Sequence, residues 1–273
     1  MSEYKIVASD LDGTLLNSKS EITKENIDAI NKLCQKGIFF VPSTGRTLSE
    51  IPSDIKNLSC IRYFIYANGA AVLDRTTGNR VLNCISDKDG RYIFDILKSF
   101  EAHVSFRTDG QCYVDSRFQN DADFEYYNVC EAHRVVVRNF AEYSDDFENI
   151  SQNADDIEVI SAFFHSYQDK IKCRELIEKN SALKAVEVSE YNLEIINTDA
   201  GKGNALGILS EMTGVPCERI ISIGDSDNDS SIIKAAGLGL AVSNSCEELK
   251  IIADEIICSN DEHVVEYVLK HYA

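Results

Sequence analysis

The stretch Tyr4-Lys5-Ile6-Val7-Ala8-Ser9-Asp10-Leu11-Asp12-Gly13-Thr14 opens with an apolar run and closes with two carboxylates, a glycine and a threonine. The run predicts a strand over residues 4–9 with Asp10 at its carboxyl end. A helix is expected over about residues 23–36. There Ile27, Ile30, Leu33 and Cys34 recur near the 3.6-residue period, and Gly37 is placed to end it. The same strand–turn–helix order returns twice. Residues 38–41 lead into Pro42-Ser43-Thr44-Gly45-Arg46 and a helix from Leu48. Residues 219–223 lead into Gly224-Asp225-Ser226-Asp227-Asn228-Asp229 and a helix through Ala236. Short strands at 63–66, 239–242 and 255–257 are expected in the same sheet. Strands alternating with helices predict an α/β fold whose parallel sheet is covered on both faces.

The middle of the chain follows a different pattern. Residues 71–73 and 81–83 flank Thr76-Thr77-Gly78-Asn79, a hairpin signal. Helical patterns at 92–100 and 171–177 are interleaved with expected strands at 104–106, 112–114, 135–137, 157–164 and 185–188. Short turns such as Thr108-Asp109-Gly110 suggest an antiparallel α+β domain inserted into the parallel one. The expected division is core over 1–83, insert over 84–189 and core again over 190–273. Residues 142–158 hold seven acids and no Lys or Arg, which is best explained as a solvated face of the insert.

Composition narrows the function. A chain of 273 residues suggests about two domains at roughly 150 residues each. Forty-five acids against 27 bases give a net charge of −18, which argues against a broad nucleic-acid surface. No apolar run approaches the roughly 20 residues of a membrane span. The first ten residues show no secretory pattern. Nine scattered cysteines without a Cys-x-x-Cys pair suggest reduced, structural thiols in a cytoplasmic protein.

In open α/β sheets, ligands bind beyond the carboxyl ends of the strands, and Asp10, Thr44 and Asp225 are all expected there. Asp10 and Asp12, joined by Asp225, Asp227 and Asp229, would repel one another unless a cation neutralised them. Such a cluster suits a hard ion such as Mg²⁺. A calcium loop fails on spacing: its sixth and twelfth places hold Ser230 and Ala236 counted from Asp225, or Leu15 and Glu21 counted from Asp10. There is no complete nucleotide-binding glycine motif, and the five histidines lack zinc spacing. Thr44 beside Gly45, in a loop entering a helix, offers a hydroxyl and backbone N–H groups to a phosphate. Lys202 lies between two glycines before an apolar helix.

Together these segments resemble the haloacid dehalogenase superfamily, specifically its Cof-like phosphatases with a type IIB cap. The family pattern Asp-x-Asp-x-Thr matches Asp10 to Thr14, and Thr44-Gly45-Arg46 and Asn68-Gly69-Ala70 match two further elements. Lys202 to Leu206 and Gly224 to Asp229 complete the set, in order, across essentially the whole chain. The departures are Ser231, Ser243 before Asn244, and His263. The resemblance implies a Rossmann-like core with an inserted α+β cap, and Mg²⁺-dependent hydrolysis of a small phosphate ester through a phospho-aspartate. It makes Asp10 the nucleophile, Asp12 the general acid and base, and Thr14 a support of that loop. Mg²⁺ would be held by Asp10, the Asp12 carbonyl and Asp225, with Asp229 supporting. Thr44, Gly45, Lys202 and Asn228 would bind the phosphoryl group. An anionic nucleophile facing an anionic ester meets a repulsion of roughly 4 kcal/mol per charge pair at 4 Å, which cations must offset. Arg107, Tyr113, Arg117, Arg134 and Arg138 are cap side chains that could read a sugar or nucleotide, but a surface or framework role is expected for each. Alternative readings are a sugar phosphomutase or phosphotransferase of the same superfamily, and a non-catalytic Mg²⁺-dependent binding protein.

Overall fold

Strand β1 (Ile6–Ser9) is buried at all four positions, as a parallel strand covered on both faces must be. The computed structural model describes residues 3–187 and 189–273. In chain order β1 is followed by β2 (Phe39–Pro42), β3 (Tyr63–Tyr66), β4 (Ala71–Asp74) and β5 (Asn79–Leu82). Then come β6 (Ala102–Thr108), β7 (Gln111–Asp115), β8 (Ala141–Ser144), β9 (Ile157–Phe164), β10 (Leu183–Val186) and β11 (Asn192–Asn197). The chain ends with β12 (Ile220–Gly224), β13 (Leu238–Val242) and β14 (Glu255–Ile257).

Two units result. The first holds the described residues up to Arg46, Ile51–Val81 and Gly201–Ala273; the second holds Thr47–Glu50 and Leu82–Ala200. In the first, five parallel strands run in the order β14-β13-β12-β1-β2. The chain winds from β1 to β2 in one direction and from β12 to β14 in the other. The winding therefore reverses between β1 and β12, where an open sheet leaves a crevice at its carboxyl ends. Helix Lys24–Gln35 begins where the Thr23 hydroxyl accepts the Asn26 amide, and its buried stripe is Ala29, Ile30 and Leu33. The second unit is a six-stranded sheet, β10-β11-β9-β6-β7-β8, antiparallel except for the β7–β8 pair. Phe106, Ile160, Phe164 and Ile195 from its strands pack with Phe94 and Leu97 of helix Asp87–Leu97. Among the described residues no helix is long and apolar enough to cross a membrane.

Five expectations need correction. No helix starts at Leu48: Pro52 disfavours helical backbone at Ile51, and only Ser53–Lys56 is helical. The Glu50 carboxylate instead accepts the Thr47 amide at 2.8 Å. Strand β3 does not join the parallel sheet beyond a single bridge, Ser43 to Ile65; it is an edge of a three-stranded sheet in the order β3-β4-β5. The amide of Ser43 donates to Ser9 on the β1 side and that of Thr44 to Ile65 on the other. By alternation the N–H toward β3 should come from Pro42, which has none. Residues 135–137 are helical, within Glu131–Phe140. Their β-branched preference yields to packing: Val137 is buried with Cys112, Val114 and Phe124, while Val135 stays 46% exposed. The strand expected at 185–188 is Leu183–Val186, and Val188 lies outside the described residues. Finally, the return to the core expected at 190 is early. β11 pairs with β9 and β10, so the second unit runs to Ala200, and it also takes in Thr47–Glu50.

His103 on β6 is fully buried against Phe118, Phe124 and Tyr127. One ring nitrogen, Nε2, lies 3.3 Å from the Phe118 carbonyl, and Nδ1 has no partner among the described residues. Burial pulls its pKa from 6.5 down to about 4. Between those values the unfolded chain binds the extra proton, so stability falls as pH drops. We expect a loss of roughly 2 kcal/mol from this group between pH 6.5 and 5. Urea denaturation at both pH values should show a smaller loss in His103→Gln; an equal loss would exonerate the imidazole.

Candidate active site

Asp10 follows β1 directly, and its amide donates to the Ile223 carbonyl of β12 at 2.9 Å. The chain then makes a wide turn over Leu11–Leu15, closed by the Leu16 amide on the Leu11 carbonyl at 2.8 Å. Asp12 stays extended and Gly13 turns left-handed at φ +74°. A Cβ at Gly13 would sit 2.5 Å from the Asp225 carboxylate, so glycine is required here by space as well as by backbone. The Gly13 carbonyl accepts the Asn244 side-chain amide at 2.8 Å. At the other strand end, Asp229 Oδ2 accepts the amides of Asp225 and Ser226 at 3.0 and 3.3 Å, which folds Gly224–Asp229 into a tight loop.

The two loops bring Asp10, Asp225 and Asp229 together, with one oxygen of each within 4.8 Å of the others. Lys202, the first residue of helix Lys202–Thr213, is 1% exposed; its ammonium donates to Asp10 Oδ1 at 2.7 Å and Asp229 Oδ1 at 2.6 Å. Burial alone would lower its pKa, yet Asp10 and Asp229 hold it well above the ordinary lysine value. Burial raises Asp10 well above the carboxylate range against the pull of Lys202, and Asp229 and Asp225 add to the rise. Asp225 is pushed up to about 6 by burial and by Asp229, although Thr14 and Lys202 oppose this. The Thr14 hydroxyl donates to Asp225 Oδ1 at 3.0 Å, so Thr14 braces the opposite loop as well as its own. Three carboxylates facing one ammonium form a hard-oxygen donor set with excess negative charge, which fits a divalent cation.

Asp12 stands apart from that cluster. Its carboxylate is 53% exposed and receives Arg46 bidentately, from Nε at 2.8 Å and Nη2 at 2.7 Å. Thr44 is buried; its hydroxyl accepts the Arg46 amide at 3.1 Å and its own amide donates to Ile65 at 3.0 Å. With no helix after Gly45, the anion-binding helix start expected there is missing. Asn228 lies on the Gly224–Asp229 loop, and its amide reaches Asn68 Oδ1 at 3.2 Å. Sequence reasoning gave no role to Arg46, Asn68 or Asn244. The first two stood in quoted motifs, and Asn68 takes the left-handed backbone (φ 54°) that Asn-Gly favours. The cap side chains are engaged inside the second unit. Arg107 pairs with buried Glu50 at 3.0 Å, Arg117 with Asp115, Arg138 with Asp121; Arg134 donates to the Val129 carbonyl, and Tyr113 stacks on Phe106.

A family model described as haloacid dehalogenase-like hydrolase matches residues 7–269. Phosphatase YwpJ of Bacillus subtilis (strain 168) is 31% identical, over 98% of this chain and 99% of its own. The 5-amino-6-(5-phospho-D-ribitylamino)uracil phosphatase YwtE of the same organism is 29% identical, over 97% and 96%. The solved structure of a haloacid dehalogenase-like hydrolase from B. subtilis superposes with a TM-score of 0.80 at 30% identity, covering 98% of this chain and 99% of that one.

Removing Lys202 leaves Asp10 and Asp229 buried without their cation. Lys202→Met should lower the unfolding free energy by about 3–5 kcal/mol in urea titrations. A loss under about 1 kcal/mol would mean that these carboxylates are neutral without it.

Proposed function

The chain belongs to the haloacid dehalogenase-like hydrolases and hydrolyses phosphoric monoesters, and we propose that it does so through a phosphoryl group carried on Asp10. The proposed cofactor is Mg²⁺, and the proposed substrate is a small phosphorylated metabolite such as a sugar phosphate. The observation that carries this reading is the Asp10 carboxylate, 2.7 Å from Lys202, gathered with Asp225 and Asp229 where the sheet winding reverses.

In the first step an Asp10 oxygen forms a bond to phosphorus while the bond to the leaving alcohol breaks. Asp12, one turn of loop away and open to solvent, protonates the leaving oxygen. In the second step Asp12 takes a proton from water, the water oxygen attacks phosphorus, and the Asp10–phosphoryl bond breaks. One hard displacement becomes two easier ones. Arg46 orients the Asp12 carboxylate through its two hydrogen bonds. Lys202, the Thr44 hydroxyl, Gly45 and Asn228 face the phosphoryl oxygens, and Thr14 fixes Asp225.

Asp10 and Asp225, with the Asp12 carbonyl, are the residues that would hold Mg²⁺. Asp229, already bonded to Lys202 and two amides, supports them from behind. Mg²⁺, when bound, supplies positive charge that keeps Asp10 ionised and offsets its repulsion from the phosphate. The overall charge of −18 is no obstacle, because the local balance around the ester decides binding.

Asp10→Asn should abolish release of inorganic phosphate from a panel of phosphorylated metabolites, and Asp12→Ala should cut it by ~10²-fold or more. Turnover at the wild-type rate in Asp10→Asn would remove the proposed nucleophile. Chelator should stop the reaction and added Mg²⁺ restore it; undiminished activity in chelator would count against the cofactor. Assaying free phosphate separates hydrolysis from transfer to a second sugar hydroxyl, which releases none.

A further inference from the structure

Two of the nine free cysteines come together in the first unit, away from the carboxylate cluster. Cys34 lies near the end of helix Lys24–Gln35, and Cys60 in the loop between Ser53–Lys56 and β3. The Cys34 thiol donates to the Cys60 carbonyl at 3.6 Å, and the Cys60 thiol donates to Asn31 Oδ1 at 3.4 Å. Asn31 is one helical turn before Cys34, and its amide is fixed on the Ile27 carbonyl at 3.0 Å. Both thiols therefore sit over the same helix face. The loop is pinned from behind, where Arg75 donates to the carbonyls of Lys56 and Leu58 at 2.6 and 2.8 Å. Both cysteines are partly exposed, whereas Cys112 and Cys173 are buried.

We propose that Cys34 and Cys60 are a redox-sensitive thiol pair that a low-molecular-weight disulfide converts into an intramolecular disulfide. Burial, reinforced by the neighbouring Cys60 thiol, pushes Cys34 up to about 12, so the exchange begins at Cys60. The Cys60 thiolate attacks one sulfur of the reagent, forming a mixed disulfide and expelling one thiolate. Cys34 then loses its proton to solvent and attacks Cys60 Sγ, expelling the second thiolate. Two protein thiols are oxidised, one small disulfide is reduced, and two small thiols are released. The bond would tie helix Lys24–Gln35 to the start of β3, whose far end leads to Asn68 beside the catalytic loops. The pair is independent of the proposed chemistry at Asp10.

The test uses the full chain incubated with oxidised glutathione at mildly alkaline pH, followed by intact mass and a non-reducing peptide map. The expected result is a loss of two hydrogens and a linked Cys34–Cys60 peptide pair, both reversed by dithiothreitol. Cys34→Ser should instead accumulate a stable glutathione adduct at Cys60, and Cys60→Ser should give no linked pair. Separate glutathione adducts on the wild-type Cys34 and Cys60, or links that omit either residue, would overturn the proposal.

Discussion

A single buried ammonium between two carboxylates organises this molecule. Lys202 reaches Asp10 at 2.7 Å and Asp229 at 2.6 Å with almost no solvent contact. Desolvating such charges costs several kcal/mol per ion, and further hydrogen bonds within the cluster offset part of it. Asp229 has the Asp225 and Ser226 amides, and Asp225 has the Thr14 hydroxyl. The lysine offsets part of the negative charge, and the remainder suits a divalent cation.

The fold gathers these groups although Asp10 lies 192 residues from Lys202 and farther still from the Asp225–Asp229 loop. Hydrogen bonding across β1 and β12 places Ser9 beside Ile223, so the residues that follow each strand open into one crevice. Gly13 lets one loop approach the Asp225 carboxylate more closely than any side chain would allow. Asp12, on the same turn, faces solvent and Arg46, separate from the buried oxygens. One carboxylate is thus buried and the other exposed, the separation that the proposed two-step phosphoryl transfer requires of a nucleophile and a proton carrier.

Much of this was legible in the chain, for physical reasons that also explain the failures. β1 and β12 were clear because parallel strands buried on both faces are continuous apolar runs, and their turns carry the charged residues. Helix Lys24–Gln35 was clear because its apolar residues recur near the helical period and Gly37 follows to end it. Residues 135–137 misled because three valines favour a strand locally, whereas burial of Val137 decides for helix. The separation of β3 depended on one missing N–H at Pro42, visible only once strand partners are known. Within the site, the residue types announced the carboxylate cluster. The Arg46 grip on Asp12 and the two hydrogen bonds from Lys202 to Asp10 and Asp229 are properties of three-dimensional distance and could not be read from spacing.

If Asp10 is the nucleophile, its carboxylate becomes covalently phosphorylated during turnover. The most direct measurement is rapid acid quenching of the enzyme during hydrolysis of a ³²P-labelled phosphate ester, followed by peptide mapping. Label should appear on the peptide that contains Asp10 within one turnover and disappear as substrate is exhausted. Phosphate release with no labelled peptide at any quench time, or label on a peptide without Asp10, would contradict it.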